Sequence, residues 1–217
     1  MQFLLCAATE LEVEATKNFI EQHVSLKKKV DVLVTGVGLT AATYSLTKAI
    51  AINKPQFVLQ AGICGSLDAF LKPLDLVVIE KEMIGDLGVM EKGRFTSLFD
   101  LEFMKKNEEP WEKGQLSNNL SLLRKTNLNI VDAVTVNEIT TNKERISFYR
   151  DVLKANIETM EGAALHYVCL MEKIPFLQLR AVSNYVGERE KNKWTVRESI
   201  ALLNMELQRM LLKIFGS

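Results

Sequence analysis

Histidine and cysteine are scarce in this chain. Its 217 residues include two histidines, His23 and His166, and three cysteines, Cys6, Cys64 and Cys169. The cysteines are far apart, odd in number and form no CxxC pair. That argues against a disulfide framework and against a zinc site. Cys6 and Cys169 lie in apolar runs and read as small core residues. Neither histidine has a metal-ligand spacing around it, so metal-dependent or Ser-His chemistry has little to work with. No apolar run reaches the roughly 18 residues of a membrane span. No charge of either sign dominates, since Lys+Arg and Asp+Glu stand at 27 each. No global field therefore draws the chain to nucleic acid or to an anionic membrane. Lys27-Lys28-Lys29 reads as a solvated turn. The apolar start, Met1 to Ala8, has no basic leader, and Glu10, Glu12 and Glu14 follow at once. It reads as a first strand, not a signal peptide, and a cytoplasmic location is expected. There are no internal repeats and no low-complexity tracts.

What is there is a full core and an alternation. Hydrophobic residues make up 47% and charged residues 25%. The length suits one α/β domain over 1–217. Strands are expected over Phe3–Ala8, Val30–Thr35, Gln56–Gln60, Leu74–Glu80 and Phe176–Val182. Helices are expected over Glu10–Gln22, Ala41–Ile52, Arg145–Phe148, Met160–Glu172 and Val196–Phe215. In the first helix Leu11, Ala15, Phe19 and Ile20 fall roughly on one face. Gly85 to Asn129 is less regular and reads as loops and short elements, a lid or a subunit contact. The alternation implies a central mixed, mostly parallel sheet with helices on both faces. Ligands of such sheets sit outside the carboxyl ends of the strands. Thr9–Glu12, Gly36–Gly38, Gly62–Gly65 and Ser183-Asn184 cluster there.

Each of these has a plain reading beside a functional one. Gly36-Val37-Gly38 lies at a strand-to-helix turn, but Leu39-Thr40-Ala41 supplies no third glycine for a dinucleotide fingerprint. Gly62-Ile63-Cys64-Gly65 reads as a second glycine turn. Glu10, Glu12 and Glu14 are ordinary first-turn charges for a helix dipole, or one of them is a general base toward water. Glu161 opens an apolar run among Thr159, Met160 and small residues. It is a helix-start charge, or a carboxylate that accepts from two vicinal hydroxyls of a sugar. Asn184 follows a buried strand and is a turn former or a reader of a base.

Five segments together resemble the purine and uridine phosphorylase superfamily over nearly the whole chain. They are Ala8-Thr9-Glu10-Leu11-Glu12-Val13, Gly36-Val37-Gly38, Ala61-Gly62-Ile63-Cys64-Gly65, Thr159-Met160-Glu161-Gly162-Ala163-Ala164 and Arg180-Ala181-Val182-Ser183-Asn184. The last two, in this order and at this spacing, are the specific ones. The likeness is to the branch of methylthioadenosine/S-adenosylhomocysteine nucleosidases and futalosine hydrolases. It implies a nucleoside-phosphorylase-like fold, a nucleoside substrate, no cofactor, no metal and a homo-oligomer, a dimer or higher. Two departures refine it. Phosphorylases of this superfamily bind phosphate through an arginine and a hydroxyl residue where this chain has Gln60 and Ile63. The acidic Glu10–Glu14 run replaces their basic loop, and clustered carboxylates repel a phosphate dianion. Hydrolysis is therefore expected over phosphorolysis. Asn184 replaces the aspartate that serves adenine in the nucleosidases. An amide donates to N7 and to a 6-oxo group, which suits hypoxanthine or guanine.

Ser183-Asn184-Tyr185-Val186-Gly187-Glu188-Arg189 with Trp194, and Gly85-Asp86-Leu87-Gly88-Val89, resemble the futalosine hydrolase branch. The resemblance implies cleavage of the N-ribosidic bond of futalosine through an oxocarbenium-like transition state. On it, Glu12 activates water, Arg180 positions Glu12, and Asn184 steadies charge on the leaving base. Glu161 holds the ribose hydroxyls and Met160 packs on the ring. Ile63 and Cys64 line the pocket, Ile139 and Thr140 meet the base, and Ser183 orients Asn184. Arg189 or Lys193 is the candidate for the 5′ carboxylate. The alternatives are a methylthioadenosine/S-adenosylhomocysteine nucleosidase, a general inosine-type nucleosidase, and an inactive nucleoside-binding protein.

Overall fold

The computed structural model describes residues 2–215. Val- and Leu-rich runs with few charges make strands that bury both faces. The chain runs β1 (Phe3–Ala7), α1 (Glu10–Gln22), the short α2 (Val24–Lys27), β2 (Val30–Val34) and α3 (Leu39–Asn53). It continues with β3 (Phe57–Ser66), β4 (Leu76–Ile84), β5 (Gly88–Glu91), β6 (Arg94–Ser97), β7 (Leu116–Ser117) and the one-turn α4 (Leu120–Leu123). It ends with β8 (Asn129–Thr135), α5 (Lys143–Ser147), β9 (Ile157–Thr159), α6 (Gly162–Met171), β10 (Phe176–Tyr185) and α7 (Val196–Phe215).

The sheet is mixed and mostly parallel, as the alternation implies. β1 pairs β2 and β3 in parallel, and β3 also pairs β10 in parallel. β10 turns antiparallel to β4, β4 runs parallel to β8, β8 parallel to β9, and β9 antiparallel to the end of β3. The pairings return to β3, so five strands close into a ring and β1 and β2 extend from it. β8 and β9 went unread in the sequence, and they are what close this ring. Helices cover both faces, and β1 shows why. Phe3, Leu5 and Ala7 join the core under α1 and α7, while Leu4 and Cys6 join the core under α3 and α6. That is the period-two alternation of a strand buried on both sides.

The structure corrects two local expectations. Gly62 to Gly65 form no turn, because β3 runs straight through them to Ser66. The buried stripe of α1 is Glu12, Val13, Thr16 and Ile20, while Leu11 is largely exposed. Two polar residues hide that stripe: Thr16 donates through backbone and hydroxyl to Oδ1 of Asn204 on α7. The stretch after Gly85 is made of loops and short elements, as expected. It holds the β5–β6 hairpin, whose Phe95 packs edge-on against Phe148 and carries the Arg145 guanidinium over its face. No helix among the described residues is long and apolar enough to cross a membrane.

Candidate active site

The carboxyl ends of β1, β3 and β10, with the start of α6, surround a cavity of about 350 Å³. Glu12, Ile63, Cys64, Ile139, Met160, Glu161, Ser183 and Asn184 all line it. Arg180 and Thr140 do not.

Glu12 sits in the first turn of α1 and is 7% exposed. Three donors hold its carboxylate. Oε2 accepts from the backbone N–H and the hydroxyl of Thr9, both at 3.0 Å, and Oε1 accepts from the Ile63 N–H at 3.1 Å. Its backbone carbonyl accepts from Nδ2 of Asn204, so α7 fixes this turn from behind. A carboxylate held this way has one orientation and spare lone pairs toward the cavity. That is what a general base toward water needs.

Glu161 is the N-cap residue of α6. Its Oε1 accepts from the Gly38 N–H at 2.8 Å. Gly38 has φ +90°, a backbone conformation that favours glycine, so this N–H is aimed by the glycine turn. Burial pushes the Glu161 carboxyl above its usual range, while Arg180 opposes that shift. The Arg180 guanidinium is 1% exposed. It lies 3.9 Å from Oε2 of Glu161 and donates to Oε1 of Gln60 at 2.6 Å. The expected pairing of Arg180 with Glu12 is therefore corrected: the ion pair is with Glu161. Gly62 explains the packing, since a Cβ there would collide with Nη1 of Arg180 and reach within 3.0 Å of Oε1 of Glu12. Its role is close approach inside a strand, which a sequence pattern cannot tell from a turn.

β10 carries Ser183 and Asn184 on one wall of the cavity. Its pairing with β3 slips between Val182 and Asn184. Such a bulge re-aims the side chains that follow it. The single Ser183 hydroxyl hydrogen is shared between Oδ1 of Asn184 at 2.8 Å and the Cys64 carbonyl at 3.2 Å. Nδ2 of Asn184 donates to the Tyr185 carbonyl at 3.0 Å. A carbonyl can only accept, so these contacts fix which end of the amide is nitrogen. One amide hydrogen remains for a ligand, not the two expected from the sequence. Thr140 is also corrected: its N–H is committed to Oε1 of Glu158 at 3.1 Å. Ile139 stands half-exposed at the rim. Burial pushes the Cys64 thiol up to about 12, which keeps it a neutral wall. Arg189 lines the cavity with its guanidinium over the Trp194 ring, whereas Lys193 is paired with Glu188 and Glu190.

Sequence reasoning missed the polar set that seats α6. Glu82, fully buried on β4, accepts from Thr135 and Gln178 at 2.9 Å and from Thr159 at 3.4 Å. Burial pushes its carboxyl up to about 7. The hydroxyls of Thr135 and Thr159 in turn accept from the N–H groups of Ala163 and Gly162. The first turn of α6 is thus satisfied from below, and Glu161 is held where it projects. The sequence signal was weak, because Glu82 follows Glu80 and Lys81 in β4 and reads as part of a charged run. Gly162 touches this set so closely that a Cβ would collide with the Glu82 carboxylate and the Gln178 amide. Gly162→Ala is expected to destabilise the fold by about 2–3 kcal/mol, the cost of overpacking a locked core. A urea melt with an unchanged midpoint would refute this.

A larger hollow, about 550 Å³, opens beyond Ile139 between the β5–β6 hairpin and Arg145. It contains none of Glu12, Glu161 or Asn184.

Fold and cavity together define an α/β protein of the nucleoside-phosphorylase type, with buried carboxylates and an amide on the walls of one cavity. The model of the family described as the Phosphorylase superfamily matches residues 4–215, and the chain belongs to that superfamily. Among curated relatives it is 28% identical to a futalosine hydrolase of Thermus thermophilus over 188 residues, 85% of this chain and 82% of that one. It is 26% identical to an aminodeoxyfutalosine nucleosidase of Helicobacter pylori, over 82% of this chain and 77% of that one. Among solved structures, futalosine hydrolase of Helicobacter pylori shares the fold with a TM-score of 0.82 at 19% identity, covering 98% of both chains. The methylthioadenosine/S-adenosylhomocysteine nucleosidase of Colwellia psychrerythraea, solved with adenine, gives 0.82 at 20% identity over 100% and 97% of the two chains.

Proposed function

We propose that this protein is a nucleosidase that hydrolyses the N-ribosidic bond of futalosine, releasing hypoxanthine. The observation that carries the base assignment is the Asn184 amide. Ser183 and the Tyr185 carbonyl fix its orientation and leave one N–H for the ligand. That N–H donates to N7 or to the 6-oxo group and steadies negative charge as the base departs. A 6-oxopurine leaves readily as an anion, so an amide that cannot transfer a proton suffices.

Water is the proposed nucleophile. Gln60 is buried and committed to Arg180 and to the Glu161 carbonyl. Ile63 offers its N–H to Glu12 rather than to a phosphate. Glu12 and Glu161 add negative charge where a phosphate dianion would have to sit. In this reading Glu12 takes a proton from water. Glu161 accepts from the ribose 2′- and 3′-hydroxyls, and Met160 covers the ring. Arg180 acts through Glu161 as a positioning residue. The futalosine 5′ group is supported by the relatives above and by the cationic Arg189 at the cavity wall.

The test is base release from futalosine, inosine and methylthioadenosine, with and without phosphate. Hypoxanthine from futalosine, independent of phosphate, is the expected result. Preferred release of adenine from methylthioadenosine would sink the substrate assignment, and a phosphate requirement would sink hydrolysis. Asn184→Asp should cost 6-oxopurine nucleosides about 10²-fold more in kcat/KM than adenine nucleosides, since a carboxylate opposes the 6-oxo group. Equal losses on both would remove Asn184 from base reading.

A further inference from the structure

Glu158 is a buried carboxylate on the cavity wall with no role in the chemistry above. It is 7% exposed. Its Oε1 accepts from the Thr140 N–H, and its Oε2 is buried with no hydrogen-bond partner among the described residues. An unsatisfied buried carboxylate oxygen is costly, and native structures rarely keep one without a use. Strand alternation aims it. On β9, Ile157 joins the apolar core and Thr159 bonds Thr135, so Glu158 between them faces the other way, into the cavity.

The register then sets it opposite Asn184. Gly65 of β3 pairs Asn184 on one side and Glu158 on the other. Residues directly opposite one another on neighbouring strands share a face. The row is therefore amide, glycine, carboxylate, and all three line the cavity. Gly65 keeps the row open: a Cβ there would fall 2.8 Å from Cγ2 of Val186 and 3.5 Å from Nδ2 of Asn184. Two strand spacings, roughly 9–10 Å between backbones, separate the two polar residues.

We infer that Glu158 is a second base-reading residue, whose Oε2 accepts the N1–H of a 6-oxopurine while Asn184 donates to the N7 and O6 side. The inference rests on the proposed 6-oxopurine substrate. A 6-oxopurine presents an acceptor at N7, an acceptor at O6 and a donor at N1 along one edge. Adenine presents a bare acceptor at N1, which a carboxylate oxygen repels. Glu158 thus selects against adenine at a position that Asn184 does not reach.

Calorimetric binding of free bases to the full-length protein tests this without turnover or a 5′ group. The probes are hypoxanthine, 1-methylhypoxanthine and adenine. Wild type should bind hypoxanthine about 10²-fold more tightly than 1-methylhypoxanthine, whose N1 has no hydrogen. Equal binding of those two by wild type overturns the inference without any variant. Glu158→Gln keeps an acceptor for Thr140 and turns an NH₂ toward N1. It should lose about 10²-fold for hypoxanthine and gain for adenine relative to it. A variant that keeps the wild-type ratios also overturns the inference. If wild type binds adenine more tightly than hypoxanthine, the substrate reading itself has failed, which is a different result.

Discussion

Replacing Glu12 with glutamine is expected to lower kcat for base release by about 10²–10⁴, the usual contribution of a positioned general base. The fold should survive. The glutamine oxygen can still accept from the Thr9 N–H and hydroxyl, which are the local contacts that hold this turn. Its NH₂ would then face the Ile63 N–H, where Oε1 now accepts. That costs one buried hydrogen bond, on the order of 1 kcal/mol of stability. KM should change little, because in the proposed reaction the carboxylate acts on water and not on the nucleoside. A rate near wild type, in a variant whose melt is normal, would remove Glu12 from the base role. A loss of folding instead would show that the three contacts of this carboxylate serve structure first.

Glu161→Gln should produce the other large loss, and a different kinetic pattern. A carboxylate accepting from two vicinal hydroxyls makes two charge-assisted hydrogen bonds, each worth about 1.5–3 kcal/mol. Losing that charge should lower kcat/KM by about 10²–10⁴, with a rise in KM as a main component. Arg180 also loses its carboxylate partner while remaining buried, so a fall in stability accompanies the kinetic loss. The control is the substrate. With a 2′-deoxyribonucleoside one of the hydroxyls is already gone, so the variant should fall less far behind wild type. An identical fall on ribo- and deoxyribonucleosides would mean that Glu161 matters through the seating of α6 and Arg180 rather than through the sugar. Glu161→Ala is less informative, because it also strips the acceptor from the Gly38 N–H.

Much of the fold is visible in the residues themselves. Helix α1 and helix α7 fall at their expected bounds, Glu10–Gln22 and Val196–Phe215. Their bounds are legible even though in α1 the buried face is not the apolar one. The strands that read short, β3 and β10, continue through glycine and polar residues to Ser66 and Tyr185. Their polar ends line the cavity, so apolar continuity fails where the site begins. β9 is three residues long, and one of them is Glu158. No local pattern marks a strand of that length and composition. Leu11 shows the same limit in a helix. It looks like core by spacing, yet it lines the cavity while Glu12 and Thr16 are buried.

The sequence by itself determined the strand-helix alternation outside β5 to β9, the mixed sheet with helices on both faces, and most of the residues that meet at the cavity. Chain-local physics suffices for these, since apolar period, turn chemistry and the spacing of Glu161 and Asn184 are all written along the chain. Only the tertiary structure decided which groups are partners. Arg180 pairs with Glu161 and Gln60 because Gly62 lets the guanidinium lie against β3. Asn184 offers one hydrogen because a bulge in β10 turns it beside the Tyr185 carbonyl. Glu158 faces the cavity because a closed ring of strands brings β9 to the end of β3. Pairings such as Arg180 with Gln60, 120 positions apart, depend on sheet register, and register is a property of the packed whole.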